Sequence, residues 1–117
     1  MHYAMLIFEN DPELRRPDYH GAWLAYHKAM ISAGVWVSGH ALEPVSIAGS
    51  APAPTPQGRV QDGPFAETRE QLGGYIILDV PSLQGALEWA ARCPAVAYGA
   101  IEVRRVSLAS SSWRPAA

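Results

Sequence analysis

The chain has 117 residues, of which 49 % are apolar and 17 % charged, with a formal net charge of −2. This fits one globular domain with a core that needs no metal or disulfide, and the single cysteine, Cys93, excludes an internal disulfide framework. There is no block of Lys and Arg to neutralise phosphates, so direct binding of nucleic acid is not expected.

In chain order, Tyr3 to Phe8 is a continuous apolar run that ends at the turn cluster Glu9-Asn10-Asp11-Pro12, and it predicts a first strand. The run lacks the charged and small-residue flanks of a signal peptide. No apolar stretch reaches membrane-spanning length, so a cytoplasmic protein with no membrane partner is expected. Asp18 reads as a helix N-cap. After it, Trp23, Tyr26, Met30 and Ile31 fall on one helical stripe, and Gly34 closes the helix. Val35 to Leu42 predicts a second strand, which Val45 to Ala48 extends. Ala51 to Gly58 carries three prolines and no periodicity, the composition of a surface loop. Arg59 to Gln61 suggests a short return strand, and Asp62-Gly63-Pro64 a turn.

Gly73-Gly74 introduces a strong strand over Tyr75 to Val80. Ser82 is a suitable N-cap for a second helix striped by Leu83, Ala86, Leu87 and Ala90, which stops near Cys93-Pro94. Ala100 to Val106 is the last main strand. The domain is thus expected over 1–106, with 107–117 a flexible tail whose Trp113 can dock on the domain.

The order strand, helix, strand, strand, helix, strand predicts an α+β fold: a ferredoxin-like βαββαβ antiparallel sheet with both helices on one face. The strands carry a second message. Tyr3, Met5 and Ile7 point one way and Ala4, Leu6 and Phe8 the other, and Tyr75 and Ile77 likewise oppose Ile76 and Leu78. Two helices cover one face, so the other apolar face calls for a partner, and a second copy in a two-fold homodimer is the simplest.

The run from Asp62-Gly63-Pro64-Phe65-Ala66-Glu67-Thr68-Arg69-Glu70 to Gly73-Gly74-Tyr75 closely resembles the signature of the YCII-related (DGPF domain) family, with Arg69 where lysine is usual. Tyr3 to Phe8, Gly34 to Leu42-Glu43-Pro44, Ala86 to Ala90 and Ile101 to Arg104 look like that family's opening strand, middle stretch, closing helix and closing strand. The resemblance implies a dimeric α/β barrel. It also suggests a regulatory association with an extracytoplasmic-function sigma factor. The His–Asp pair proposed within the family does not carry over, because alignment on Gly34 puts Trp23 at its histidine position.

Among single residues, His40 has a side chain suited to proton transfer near neutrality and is expected on the strand face of Trp36, Ser38 and Leu42. It is a candidate acid–base group or a polar strand-end residue. His27 is a candidate pocket lining or a helix-edge residue, and Trp36 a candidate ligand contact. Asp62 is either a turn former or a carboxylate that binds substrate or orients a histidine. Phe65 and Glu67 are candidate ligand contacts, or a core plug and a solvated charge. Glu102 and Arg104 share one strand face, as an interface ion pair or as the polar patch of a cavity. Cys93 reads as a buried structural residue. Gly-rich phosphate loop, metal-ligand spacing and Ser elbow are all missing from the sequence, so no cofactor or metal is expected. The expected function is small-molecule binding in a cleft, with a regulatory role. The alternatives are a cofactor-independent acid–base enzyme of isomerase, lyase or monooxygenase type, and a structural interaction module.

Overall fold

The computed structural model describes residues 1–10, 17–51, 61–62 and 71–113. They form strands β1 (His2–Glu9), β2 (Trp36–Ala41), β3 (Gly49–Ser50), β4 (Gln61–Asp62), β5 (Gln71–Asp79) and β6 (Gly99–Arg105), with helices α1 (Tyr19–Ser32) and α2 (Leu83–Arg92). Four strands make one antiparallel sheet in the order β2-β5-β1-β6, and β3 pairs separately with β4. The fold is mixed α+β, and none of the described helices is long and apolar enough to cross a membrane.

The period-two pattern of β1 decides the layers. Tyr3, Met5 and Ile7 are buried, while Ala4, Leu6 and Phe8 are only half-buried. In β5, Ile76 and Leu78 join the buried set, whereas Tyr75 and Ile77 stay half-buried. Against the buried face pack Tyr26 and Met30 of α1, Ala86 and Ala90 of α2, and then Cys93 and Ala95. Fully burying a side chain such as Met30 contributes about 1.5–3 kcal/mol, so this one core holds both helices to the sheet.

Local chemistry sets the helix ends. The Ser82 hydroxyl accepts the Gly85 N–H at 3.1 Å, the cap bond expected at the start of α2. Cys93, before Pro94, is extended and stops that helix. Gly34 takes a φ of 73°, which lets the Val35 N–H return to the Met30 carbonyl at 3.1 Å and closes α1. Asp18 occupies the N-cap position of α1 but makes no side-chain cap bond, in contrast to the expectation.

Other expectations need correction. Ile31, Leu83 and Leu87 lie on the exposed sides of their helices. Val45–Ile47 is a turn of 3-10 helix, not an extended strand. Leu108–Trp113 also forms 3-10 helix, and Trp113 is exposed instead of docked. β5 begins at Gln71, so Gly73-Gly74 lies inside the strand, next to a register shift opposite Ile7 and Phe8. A second shift falls between Trp36 and Ser38. It places Trp36 opposite Leu78 on the helix-covered face and His40 opposite Tyr75 on the other, so these two do not share a face as expected.

Candidate functional site

α1 meets the β2–β5 half of the sheet over unusually small residues. Gly39, Ala41, Gly73 and Gly74 supply no large side chain to fill the space beneath the helix. The result is a cleft of about 610 Å³, within the ~300–1,000 Å³ typical of small-molecule sites. Trp23, Tyr19, Leu24 and His27 line it from α1, Trp36 from β2, and Ile7 and Glu9 from β1.

The aromatic walls brace one another. Tyr19 and Trp23 meet edge to face at 6.3 Å, and Trp23 and Tyr26 at 5.8 Å. The His27 ring stands edge-on to Trp36 at 4.4 Å. These are the offset and T-shaped contacts that aromatic quadrupoles favour. Between the apolar walls the polar groups include the Glu9 carboxylate, the Tyr19 and Tyr75 hydroxyls, and the imidazoles of His20, His27 and His40. Glu9 ends β1 in phase with Tyr3, Met5 and Ile7, which turns it to the helix side, and its Oε1 accepts the Tyr19 hydroxyl at 3.1 Å. A mostly apolar cleft with placed polar groups can bind a flat organic molecule and orient it.

The structure brings His27, Trp36 and His40 to the border of this cleft. His40 shares a 2.8 Å hydrogen bond with the Tyr75 hydroxyl, its direction set by the imidazole tautomer. The strand register puts both side chains in one row with Leu6 and Glu102, on the face away from the helices. Glu102 and Arg104 therefore lie on that open face and not in the cleft; both are exposed, and no ion pair joins them. The Asp62 backbone pairs with Gly49 in β4. The Asp62 side chain, Phe65 and Glu67 fall outside the described residues. Sequence reasoning missed Glu9, Tyr19 and Trp23. For Glu9 the period-two phase of β1 was the available signal.

Two buried groups are tuned away from acid–base work. Burial pushes the Cys93 thiol up to about 12, with the nearby Glu9 charge a lesser cause, so Cys93 is held as an inert thiol. Burial also raises Tyr26, whose hydroxyl donates to the Trp89 carbonyl at 2.7 Å. No group of three metal-ligating side chains occurs among the described residues.

The sequence model of the YCII-related domain matches residues 1–110. Uncharacterized protein R00369 of Rhizobium meliloti (strain 1021) is 58 % identical over 31 residues, which is 26 % of this chain and 25 % of that one. This chain therefore spans only about a quarter of that relative in the match. Among solved structures, the 5-chloro-2-hydroxyhydroquinone dehydrochlorinase of Burkholderia phenoliruptrix AC1100, in complex with 2,5-dihydroxybenzoquinone, superposes with a TM-score of 0.57. The superposition covers 92 % of this chain and 94 % of that one at 16 % identity, a likeness of fold.

Proposed function

The chain belongs to the YCII-related domain family, and from that premise we propose that it binds a small, flat, ring-bearing organic molecule in the cleft between α1 and the sheet. The observation that carries this reading is the pairing of two indole walls, Trp23 and Trp36, with a floor of glycine backbone at Gly73 and Gly74. Aromatic walls favour planar partners, and a floor without side chains lets a ring approach the sheet closely. The fold neighbour's complex with a hydroxylated quinone supports the same ligand class by analogy.

Titration of the intrinsic tryptophan emission with hydroquinone tests this. A saturable change with a micromolar Kd, repeated by calorimetry and lost in Trp36→Ala, is expected. A linear, non-saturating response would refute it.

A second reading is cofactor-independent acid–base catalysis on such a ring. It is favoured by Glu9 and His27 lining one cleft and by the neighbour's dehydrochlorinase chemistry. Under either reading we propose that the strand order is the ferredoxin-like one, and that two copies pair through the half-buried face of Ala4, Leu6, Phe8 and Ile77 to form a dimeric barrel. A regulatory link to a sigma factor is a further proposal from the family resemblance. A pull-down with and without ring ligand would test it.

A further inference from the structure

The last residue of β1 carries a carboxylate with a defined position. Glu9 lines the cleft, and the Tyr19 hydroxyl donates to its Oε1 at 3.1 Å, tying the first turn of α1 to the end of β1. Tyr19 is itself held edge-on between Trp23 at 6.3 Å and Tyr98 at 5.2 Å. On the β5 side the Gly73 backbone borders the carboxylate, and a Cβ there would meet the Glu9 carboxyl carbon at ordinary contact distance, 3.5 Å. The carboxylate is thus fixed at one end of a cleft walled by indoles.

We infer that Glu9 anchors the ligand by accepting a hydrogen bond from a ring hydroxyl, and that Tyr19 is its positioning residue. This rests on the ring-binding reading of the cleft and narrows it. An ionised carboxylate only accepts hydrogen bonds, and it accepts from several donors at once, so holding Tyr19 and holding a ligand are compatible. It repels a second anion, most strongly where the surroundings are apolar. At its own end of the cleft Glu9 therefore favours neutral phenols and hydroquinones over ring carboxylates of the same size, although the imidazoles of His20, His27 and His40 also line the cleft.

The test is calorimetric titration of the purified protein, Glu9→Gln and Tyr19→Phe, each with hydroquinone and with benzoate. The wild type should bind hydroquinone at least tenfold more tightly than benzoate. Glu9→Gln should weaken hydroquinone about tenfold and remove the preference. Tyr19→Phe should weaken hydroquinone less and shrink the ratio. A purely structural role for Glu9 would lower both affinities together and leave the ratio unmoved, which overturns the inference while the ring-binding reading stands. A wild type that binds neither probe overturns both. If Glu9→Gln does not fold, the ratio in Tyr19→Phe decides, and an unchanged ratio there counts against the anchor.

Discussion

The indole of Trp36 lies against the backbone of Gly39: a Cβ added at Gly39 would stand 2.7 Å from Trp36 Cη2 and 2.9 Å from the Tyr75 carbonyl oxygen. Trp36 also meets the His27 ring, at 4.4 Å between centroids. The cleft wall is therefore seated in a gap that only glycine leaves open. Gly39→Ala should force the indole out of that seat or part β2 from β5. Overpacking of this kind costs about 1–3 kcal/mol. Thermal melts should show a lower Tm, and hydroquinone titration a weaker response. Unchanged melting and unchanged binding together would show that Trp36 does not depend on Gly39.

Tyr26 joins the two helices by donating to the Trp89 carbonyl at 2.7 Å, from a ring buried in the core. Tyr26→Phe keeps the ring and leaves that carbonyl without this donor. Because this bond is only partly buried, the loss should fall at about 1 kcal/mol, the low end for an acceptor deprived of its partner. Urea unfolding should show a lower midpoint with an unchanged slope, because the compactness of the fold is the same. Hydroquinone binding should stay close to that of the wild type. An unchanged midpoint would mean that the carbonyl finds another donor.

These two residues also show what could be read in advance. Tyr26 was legible because helical spacing places it with Met30, and both are buried. The alternation of β1, the cap at Ser82 and the stop at Gly34 were legible for the same reason: each is a local pattern with a local physical cause. The seat of Trp36 was not. A bulge adds one residue to a strand without a compositional mark, and the shift after Trp36 sends His40 to the opposite face. Gly73-Gly74 reads as punctuation before a strand. It lies within β5, where Gly73 falls at the register shift and a Cβ on Gly74 would stand 2.9 Å from the His40 carbonyl oxygen. The stripe fails at Ile31, Leu83 and Leu87 because helix periodicity marks one side of a helix and does not say how wide the covered strip is.

The open sheet face gives a prediction about assembly. Leu6 sits in the middle of the row His40, Tyr75, Leu6 and Glu102, and Ile77 and Ala4 extend the apolar patch in the next row. If two copies pair here, Leu6→Glu places like charges against each other in an apolar interface, which is strongly unfavourable. Sedimentation should show a dimer for the wild type and a monomer for Leu6→Glu at micromolar concentration. A wild-type monomer would remove the dimer from the proposed function and leave the cleft untouched, because its described walls come from one chain.

Stability should fall on the alkaline side, and Cys93 sets where the fall begins. Burial, the larger cause, raises its thiol from an ordinary 9.0 to about 12 in the folded chain. Between those values the unfolded chain has lost the proton and the folded chain keeps it. The folded state then binds more protons, so each rise in pH favours unfolding. The contribution is fully present below pH 9 and is lost as pH approaches 12. Tyr26, also raised by burial, adds a fall of the same sign that begins only above its ordinary 10.0. Cys93→Ala leaves a small cavity and lowers stability at pH 7, but it removes the earlier of the two titrations. Urea midpoints measured from pH 8 to 11 should decline from about pH 9 in the wild type and from about pH 10 in Cys93→Ala. The same onset in both proteins would show that the thiol is not shielded as the packing around Ala90 and Ala95 requires.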